Sequence, residues 1–378
     1  MKEETIFEMR SGKMKIIDNQ IIIDTRFTNS KSLDYLLDLG SAKSFVFLDS
    51  NYFNLISDQK PVLGYGKTTS ADGISQRIKY YQFGDISTDW FTLKNGFLST
   101  LTRSHLDACN KIYGIWGSDL FRTSVSGKNN KILLINFQDS TLSILDTLPL
   151  LTNWILPENN YNRRFSWHSI KMRIGAQEYY FVLDTGFSGS ILLSPSDYKK
   201  LVHQPGSDIK EAVFYGYISN TLSGTKQDTA RLIRYNVQIN DELAADSVHI
   251  LSLNNINLNL IGMDFIKRFN VLVDYQNYQL YLQPNPNFQK NVDNFFLKKG
   301  MKPNNSIADG FRIMNLYVNS IAEKAGLKIG DEIISINNIR IDEGDPCEIE
   351  RIYSRLDGNK VDNEIIVKRG EEILKFIL

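Results

Sequence analysis

Up to about residue 284 the chain is a succession of short apolar runs rich in Val, Ile, Tyr, Phe and Thr, separated by clusters of Gly, Asn, Asp and Ser. Runs this short, bounded by turn formers, predict β-strands. The pattern occurs twice. Tyr35-Leu36-Leu37-Asp38-Leu39-Gly40-Ser41-Ala42-Lys43-Ser44-Phe45-Val46-Phe47-Leu48 aligns without gaps to Phe181-Val182-Leu183-Asp184-Thr185-Gly186-Phe187-Ser188-Gly189-Ser190-Ile191-Leu192-Leu193-Ser194. Each reads as an apolar strand, an Asp-x-Gly turn and a second apolar strand. Further on, Ile115-Trp116-Gly117 matches Leu260-Ile261-Gly262, with 79 residues separating Asp38 from Gly117 and 78 separating Asp184 from Gly262. A third pair, Leu134-Ile135-Asn136-Phe137-Gln138-Asp139 against Leu272-Val273-Asp274-Tyr275-Gln276-Asn277, precedes an alternating strand in each half. Three ordered matches at near-equal spacing indicate an internal duplication. The expected units are two homologous β lobes, residues 14–149 and 165–284.

Glycines mark long hairpin tips at similar places in both halves, Gly64-Tyr65-Gly66 through Gly73 and Gly216-Tyr217 through Gly224. Pro149 to Asn162, with Pro157 and several Asn, suits a linker. After Gln283-Pro284-Asn285-Pro286-Asn287 the texture changes, so residues 290–378 form a third, smaller α+β unit. Its expected elements include a helix from Cys347 to Leu356 and a closing strand pair around Arg369-Gly370-Glu371.

Charge changes the picture by exclusion. With 43 Lys+Arg against 43 Asp+Glu there is no basic field to draw nucleic acid, and no dense Lys/Arg run supplies one locally. Two cysteines, Cys109 and Cys347, cannot make a disulfide framework, and His105, His168, His203 and His249 are scattered singly. Neither a metal nor another cofactor is implied. No apolar run approaches the roughly 18–20 residues a membrane span requires. The start, Met1-Lys2-Glu3-Glu4, lacks the basic-then-apolar order of a secretory signal.

The duplicated Asp-x-Gly carries the chemistry. Two carboxylates brought together by a pseudo-twofold axis cannot both ionise cheaply, so the pair shares a proton over a broad pH range. A water between them can lose a proton to the ionised member while the protonated one polarises a carbonyl. The glycine permits a tight turn and a close approach of backbone to the partner loop.

With Asp184-Thr185-Gly186 and the apolar-apolar-Gly of Leu260-Ile261-Gly262, the lobes resemble aspartic proteases of the pepsin and retropepsin kind, over about residues 14 to 284. That resemblance implies a mainly β, bilobal fold with Asp38 and Asp184 catalytic in loops containing Leu39, Gly40, Ser41, Thr185 and Gly186. It implies supporting strands at Ile115-Trp116-Gly117 and Leu260-Ile261-Gly262, and a flap carrying Tyr65 and Gly66. The substrate would be a peptide or protein, cleaved by one chain without dimerisation. Two positions depart from the family: Leu39 stands where a Thr or Ser hydroxyl usually bonds across to the opposite loop, and Phe187 follows the glycine where a small residue is usual. A catalytically impaired peptide-binding adaptor is the alternative these departures favour.

The tail resembles a PDZ domain of the bacterial, protease-linked form, through Ser320-x-Ala322-x-x-Ala325-Gly326-Leu327-x-x-Gly330-Asp331-x-Ile333 and Ile336-Asn337. The resemblance implies capture of an extended or C-terminal peptide as an added strand, with Phe295-Phe296-Leu297 or Gly310-Phe311 supplying the carboxylate-binding loop. Relatives with this arrangement are commonly exported to the bacterial envelope, so the expected location is periplasmic with the leader removed, or cytoplasmic if the chain is complete.

Rival readings are weaker. Gly186-Phe187-Ser188-Gly189 resembles a serine-protease nucleophile loop, but in the repeat Ser188 aligns with Ala42 while Asp184 aligns with Asp38. Gly66-Lys67-Thr68 lacks the earlier glycine of a phosphate loop, since position 61 is Pro61. His168 is expected to be a packed strand histidine. Asp119 and Asp264 are expected to cap the short helix after each glycine.

Overall fold

Apolar–polar alternation is strict in Trp167–Ile174, where His168, Ile170, Met172 and Ile174 are buried and their neighbours are not. The same period recurs in Thr141–Leu145, which buries Leu142 and Ile144. The computed structural model describes residues 4–6, 11–17, 19–28, 31–48, 60–102, 112–122, 130–163, 165–204, 211–221, 224–289, 295–303, 310–341, 356 and 362–378. The protein is mainly β with a few short helices.

The two halves run the same path. In the first, Gly114–Trp116 lies parallel to Leu33–Leu37 on one side and antiparallel to Phe45–Leu48 on the other. Beyond it follow Phe97–Thr102, parallel to Phe45–Leu48, and then the hairpin of Ser75–Gln82 and Lys60–Thr69. In the second, Leu260–Ile261 lies parallel to Gln177–Leu183 and antiparallel to Ile191–Leu192. Beyond it follow Ala244–Leu253, parallel to Ile191–Leu192, and the hairpin of Gly224–Gln238 and Ala212–Thr221. Strand order and direction agree at every step.

The third matched pair joins the halves. Ile132–Asn136 and Phe269–Asp274 pair antiparallel, with Leu134 opposite Leu272, Leu133 opposite Val273 and Ile135 opposite Val271. In the alignment Leu134 is the counterpart of Leu272, so these two face each other while the flanking partners exchange. That is the register a twofold axis through the pair demands. Thr141–Leu145, Ser11–Lys13 and Gln279–Pro284 complete this five-stranded sheet. One core cluster spans both halves, from Ile21, Leu37 and Trp116 to Leu183, Ile261 and Val271.

The stretch expected to be a linker is only partly one. Asn159–Asn162 pairs with Trp167–Ile174 (Asn159 opposite Ile170), and Tyr161 packs on the core. Its Asn side chains hid a strand whose bonds are made by the backbone.

In the third unit, Glu332–Ile336 pairs with Ile339–Arg340 and Glu364–Arg369, and Glu372–Ile377 closes the sheet. A bulge between Ile333 and Ser335 breaks strict alternation, so Ser335 and Ile336 are both buried. Ser320 caps Ile321–Lys324 by accepting from the Glu323 N–H at 3.1 Å, and Gly326 leaves the helix at φ +97°. Arg369 makes two 2.7 Å bonds to the buried Asp331. The expected helix from Cys347 lies outside the described residues apart from Leu356, which is buried; Cys109 and His105 also lie outside them.

Candidate active site

Each Asp-x-Gly loop is hung from the strand beside it. The Asp38 N–H donates to Trp116 O at 2.9 Å, and the Asp184 N–H donates to Ile261 O at 2.9 Å. The same strands end in Gly117 and Gly262, where a Cβ would strike the loop: Lys43 O at 2.5 Å in the first half, Phe187 O at 2.5 Å in the second. Sequence-predicted Ile115, Trp116, Leu260 and Ile261 are all buried behind the loops. The Trp116 indole N–H donates to Thr25 Oγ1 at 2.9 Å.

The loops meet. A Cβ on Gly40 would lie 2.5 Å from the Asp184 carboxyl carbon, and one on Gly186 would lie 2.6 Å from that of Asp38. Each glycine is therefore the floor under the other half's carboxyl, and the two carboxyls are hydrogen-bonded to each other. Both residues are half-buried. Burial holds the Asp38 carboxyl well above the ordinary range, and the adjacent Asp184 charge and the bond to Asp184 add to this. Burial also raises Asp184, but the bond accepted from Asp38 and the N–H groups of Gly186 and Phe187, 3.0 and 3.1 Å from Oδ1, oppose the rise. In the first loop the Ser41 N–H plays the same part toward Asp38 Oδ1 at 3.0 Å.

Between the loops the bonding is one-sided. Thr185 Oγ1 accepts from the Leu39 N–H at 2.9 Å and donates to Leu37 O at 2.7 Å. Leu39, having no hydroxyl, cannot return the pair, and its side chain, 3% exposed, joins the interlobe core. Phe187 is half-buried against an apolar cluster of Leu192, Phe214, Ala230, Leu253, Ile256 and Leu260.

Two braces escaped the sequence reading. Trp167 Nε1 donates to Gly40 O at 2.6 Å, and Gln20 Nε2 donates to Gly186 O at 3.4 Å. Both donors stand at the start of the strand antiparallel to their own half's first loop strand, and both reach the opposite half's loop. Extending the duplication upstream of Tyr35 and Phe181 brings the two positions together once a one-residue gap is allowed, 15 residues separating Gln20 from Tyr35 and 14 separating Trp167 from Phe181.

The hairpin tips also meet. Asp72 Oδ2 accepts from Thr221 Oγ1 at 3.2 Å and from Lys226 Nζ at 2.5 Å, and the Asp72 carboxylate is 1% exposed. The tip of the first hairpin is thus clasped to the second, and Ala71 beside Asp72 packs on an apolar cluster of the second half. The tip of the first hairpin is Ser70–Ile74, beyond Tyr65 and Gly66. Tyr65, 61% exposed, stacks with the Arg77 guanidinium 3.7 Å from its ring centre on the outer face, whereas Gly66 pairs with buried Ile78 on the inner face.

Asp119 and Asp264 do not cap. The N-caps are Gly117 and Gly262, without a side-chain bond. Asp119 reaches across to Ser44, N at 3.0 Å and Oγ at 2.7 Å, and Asp264 pairs with Lys267. His168 is buried between Tyr161 and Tyr275, and burial lowers its pKa to about 3. Ser188 is exposed, and the Gly66-Lys67-Thr68 run is plain strand. Among the described residues no group of three or more His, Cys, Asp or Glu is placed to hold a metal ion, and no helix is long and apolar enough to cross a membrane.

In the third unit, Ile313–Tyr317 lies between Met301–Pro303 and the hairpin strand Ala212–Thr221. Of the two stretches expected to supply a carboxylate-binding loop, Phe295-Phe296-Leu297 opens a short helix with both Phe side chains in the core and Leu297 exposed, and Phe311 is likewise a core side chain. The family model of the PDZ domain matches residues 312–354. No curated protein matches the chain. The third unit is a PDZ domain, a module that binds peptides or proteins.

Proposed function

We propose that the chain is an aspartic endopeptidase of the pepsin and retropepsin kind, with its PDZ domain binding peptide or regulating access. The observation that carries this is reciprocal: each loop glycine lies under the other half's carboxyl, which brings the two carboxyls together. A peptide-binding protein gains nothing from two desolvated acids held together, because each carboxylate is costly to bury.

In the proposed reaction, Asp184 takes a proton from a water between the carboxyls as its oxygen adds to the peptide carbonyl carbon. Asp38 gives its proton to the carbonyl oxygen. As the resulting diol collapses to the carboxylic acid, Asp38 takes back a proton from a diol hydroxyl, the C–N bond breaks, and the leaving nitrogen takes the proton held by Asp184. Because burial raises both groups, the singly protonated pair that does this work persists into mildly acidic solution.

The test is cleavage of denatured casein from pH 3 to 8, with and without a statine-type inhibitor and with Asp184→Asn as blank. Inhibitor-sensitive cleavage that vanishes in the mutant is expected; cleavage surviving Asp184→Asn rules the mechanism out. The second reading, a peptide-binding adaptor without turnover, rests on Leu39 and gains if a folded chain cleaves nothing at any pH.

A further inference from the structure

Phe187 belongs to two neighbourhoods. Its N–H donates to Asp184 Oδ1 at 3.1 Å, so its main chain helps hold one carboxyl of the dyad. Its side chain packs on the cluster of Leu192, Phe214, Ala230 and Leu260, and two distant elements pack on that same cluster: Ala71, beside Asp72 at the tip of the first hairpin, and Tyr317 of the PDZ domain. Tyr317 packs against Phe214 with ring centres 4.8 Å apart and the planes tilted by 34°.

The PDZ domain is joined to the second hairpin by sheet. Phe214 pairs with Tyr317, Tyr215 with Leu316 and Gly216 with Asn315, and the Val318 N–H donates to Val213 O at 2.8 Å. Tyr215 Oη donates to Glu323 at 3.1 Å, and its ring packs on the PDZ core. Gly216 has φ +134°, and a Cβ there would strike Met314 O, so only glycine permits this approach. The strand that leads to the clasped tip is thus also a strand of the PDZ sheet.

Resting on the protease reading, we propose that Phe187 is a positioning residue through which hairpin closure and the PDZ domain act on Asp184. When the Asp72 tip is seated, Ala71 completes the cluster and fixes the Phe187 ring, and with it the N–H that orients the carboxylate. A PDZ movement shifts Tyr317 and Phe214 and loosens the same ring. The coupling runs through one packed cluster, which responds to lost volume as a unit.

The test uses the full chain with Phe187→Ala, Phe187→Leu, Tyr317→Ala and the double variant Phe187→Ala/Tyr317→Ala. Cleavage of a defined peptide is measured alongside hydrogen exchange over residues 66–78 and 224–238. Tyr317→Ala is expected to lower kcat about tenfold with KM changed less, to speed exchange in both hairpins, and to add little in the Phe187→Ala background. Phe187→Leu should recover most of kcat. If Tyr317→Ala leaves kcat and both hairpins' exchange unchanged, or its effect simply adds to that of Phe187→Ala, the proposal is overturned. Should the wild-type chain cleave nothing, the protease reading fails by itself; faster exchange of residues 66–78 in Tyr317→Ala would still show the PDZ-to-tip coupling, and unchanged exchange would remove that too.

Discussion

The two halves share one path and divide the work. The first contributes Asp38, whose carboxyl burial holds well above the ordinary range, and Leu39, which only fills the core; the second contributes Asp184, whose rise its own loop's N–H groups oppose, and Thr185, whose hydroxyl makes both bonds between the loops. The hairpins differ in the same way: that of the second half is sewn by strand pairing to the PDZ domain, while that of the first ends in a tip seated on the second half. Once a duplicated site lies in one chain, an interaction made twice by symmetry can be made once. The freed position then takes up packing.

The largest effect that tests this division is on turnover. Asp38→Asn and Asp184→Asn should each cut kcat about 10⁴-fold, and a folded variant retaining near-wild-type cleavage would end the account. Gly40→Ala and Gly186→Ala should each cost about 100-fold by displacing the opposite carboxyl. Similar losses are expected because the close approach is reciprocal, and a loss in only one would break the symmetry at the floor. Stability then separates the middle positions. Thr185→Val leaves the Leu39 N–H and Leu37 O unpaired and should destabilise by about 2–3 kcal/mol in urea melts, whereas Leu39→Thr, exchanging apolar burial for a returned hydrogen bond, should move stability by about 1 kcal/mol or less.

The smallest effect is a matter of pH. Both dyad carboxyls are raised by burial, so their contribution to stability is fully present below the ordinary aspartate range and is lost as pH rises through the folded-state values. Asp38→Asn, which needs no proton to remain neutral, should therefore melt higher than wild type at pH 7 and nearly together with it at pH 3. A wild-type protein that melts higher at pH 7 would reverse the assigned direction.

Much of this site could be read from residue order because its logic is local. Asp-x-Gly needs a tight turn between apolar strands, Ile115-Trp116-Gly117 and Leu260-Ile261-Gly262 need a glycine where strand meets loop, and the even spacing exposes the twofold relation. What escaped depends on partners far along the chain. Nothing near Asp72 announces Lys226, and nothing near Trp167 announces Gly40 O. Asn159–Asn162 hid because a strand bonded through its backbone needs no apolar side chains on its open face. The helix caps were misassigned because a carboxylate in a helix's first turn has competing donors, and Ser44 offers Asp119 two of them.

The central claim, that Asp38 and Asp184 form one proton-sharing pair, is tested most directly by ¹³C NMR titration of carboxyl-labelled aspartates, with the two signals assigned through Asp38→Asn and Asp184→Asn. The account predicts that one carboxyl of the pair stays protonated well above the ordinary value of 3.8 and that its midpoint falls when Asp184 is replaced. Two carboxyls titrating independently near that value, each indifferent to loss of the other, would contradict it.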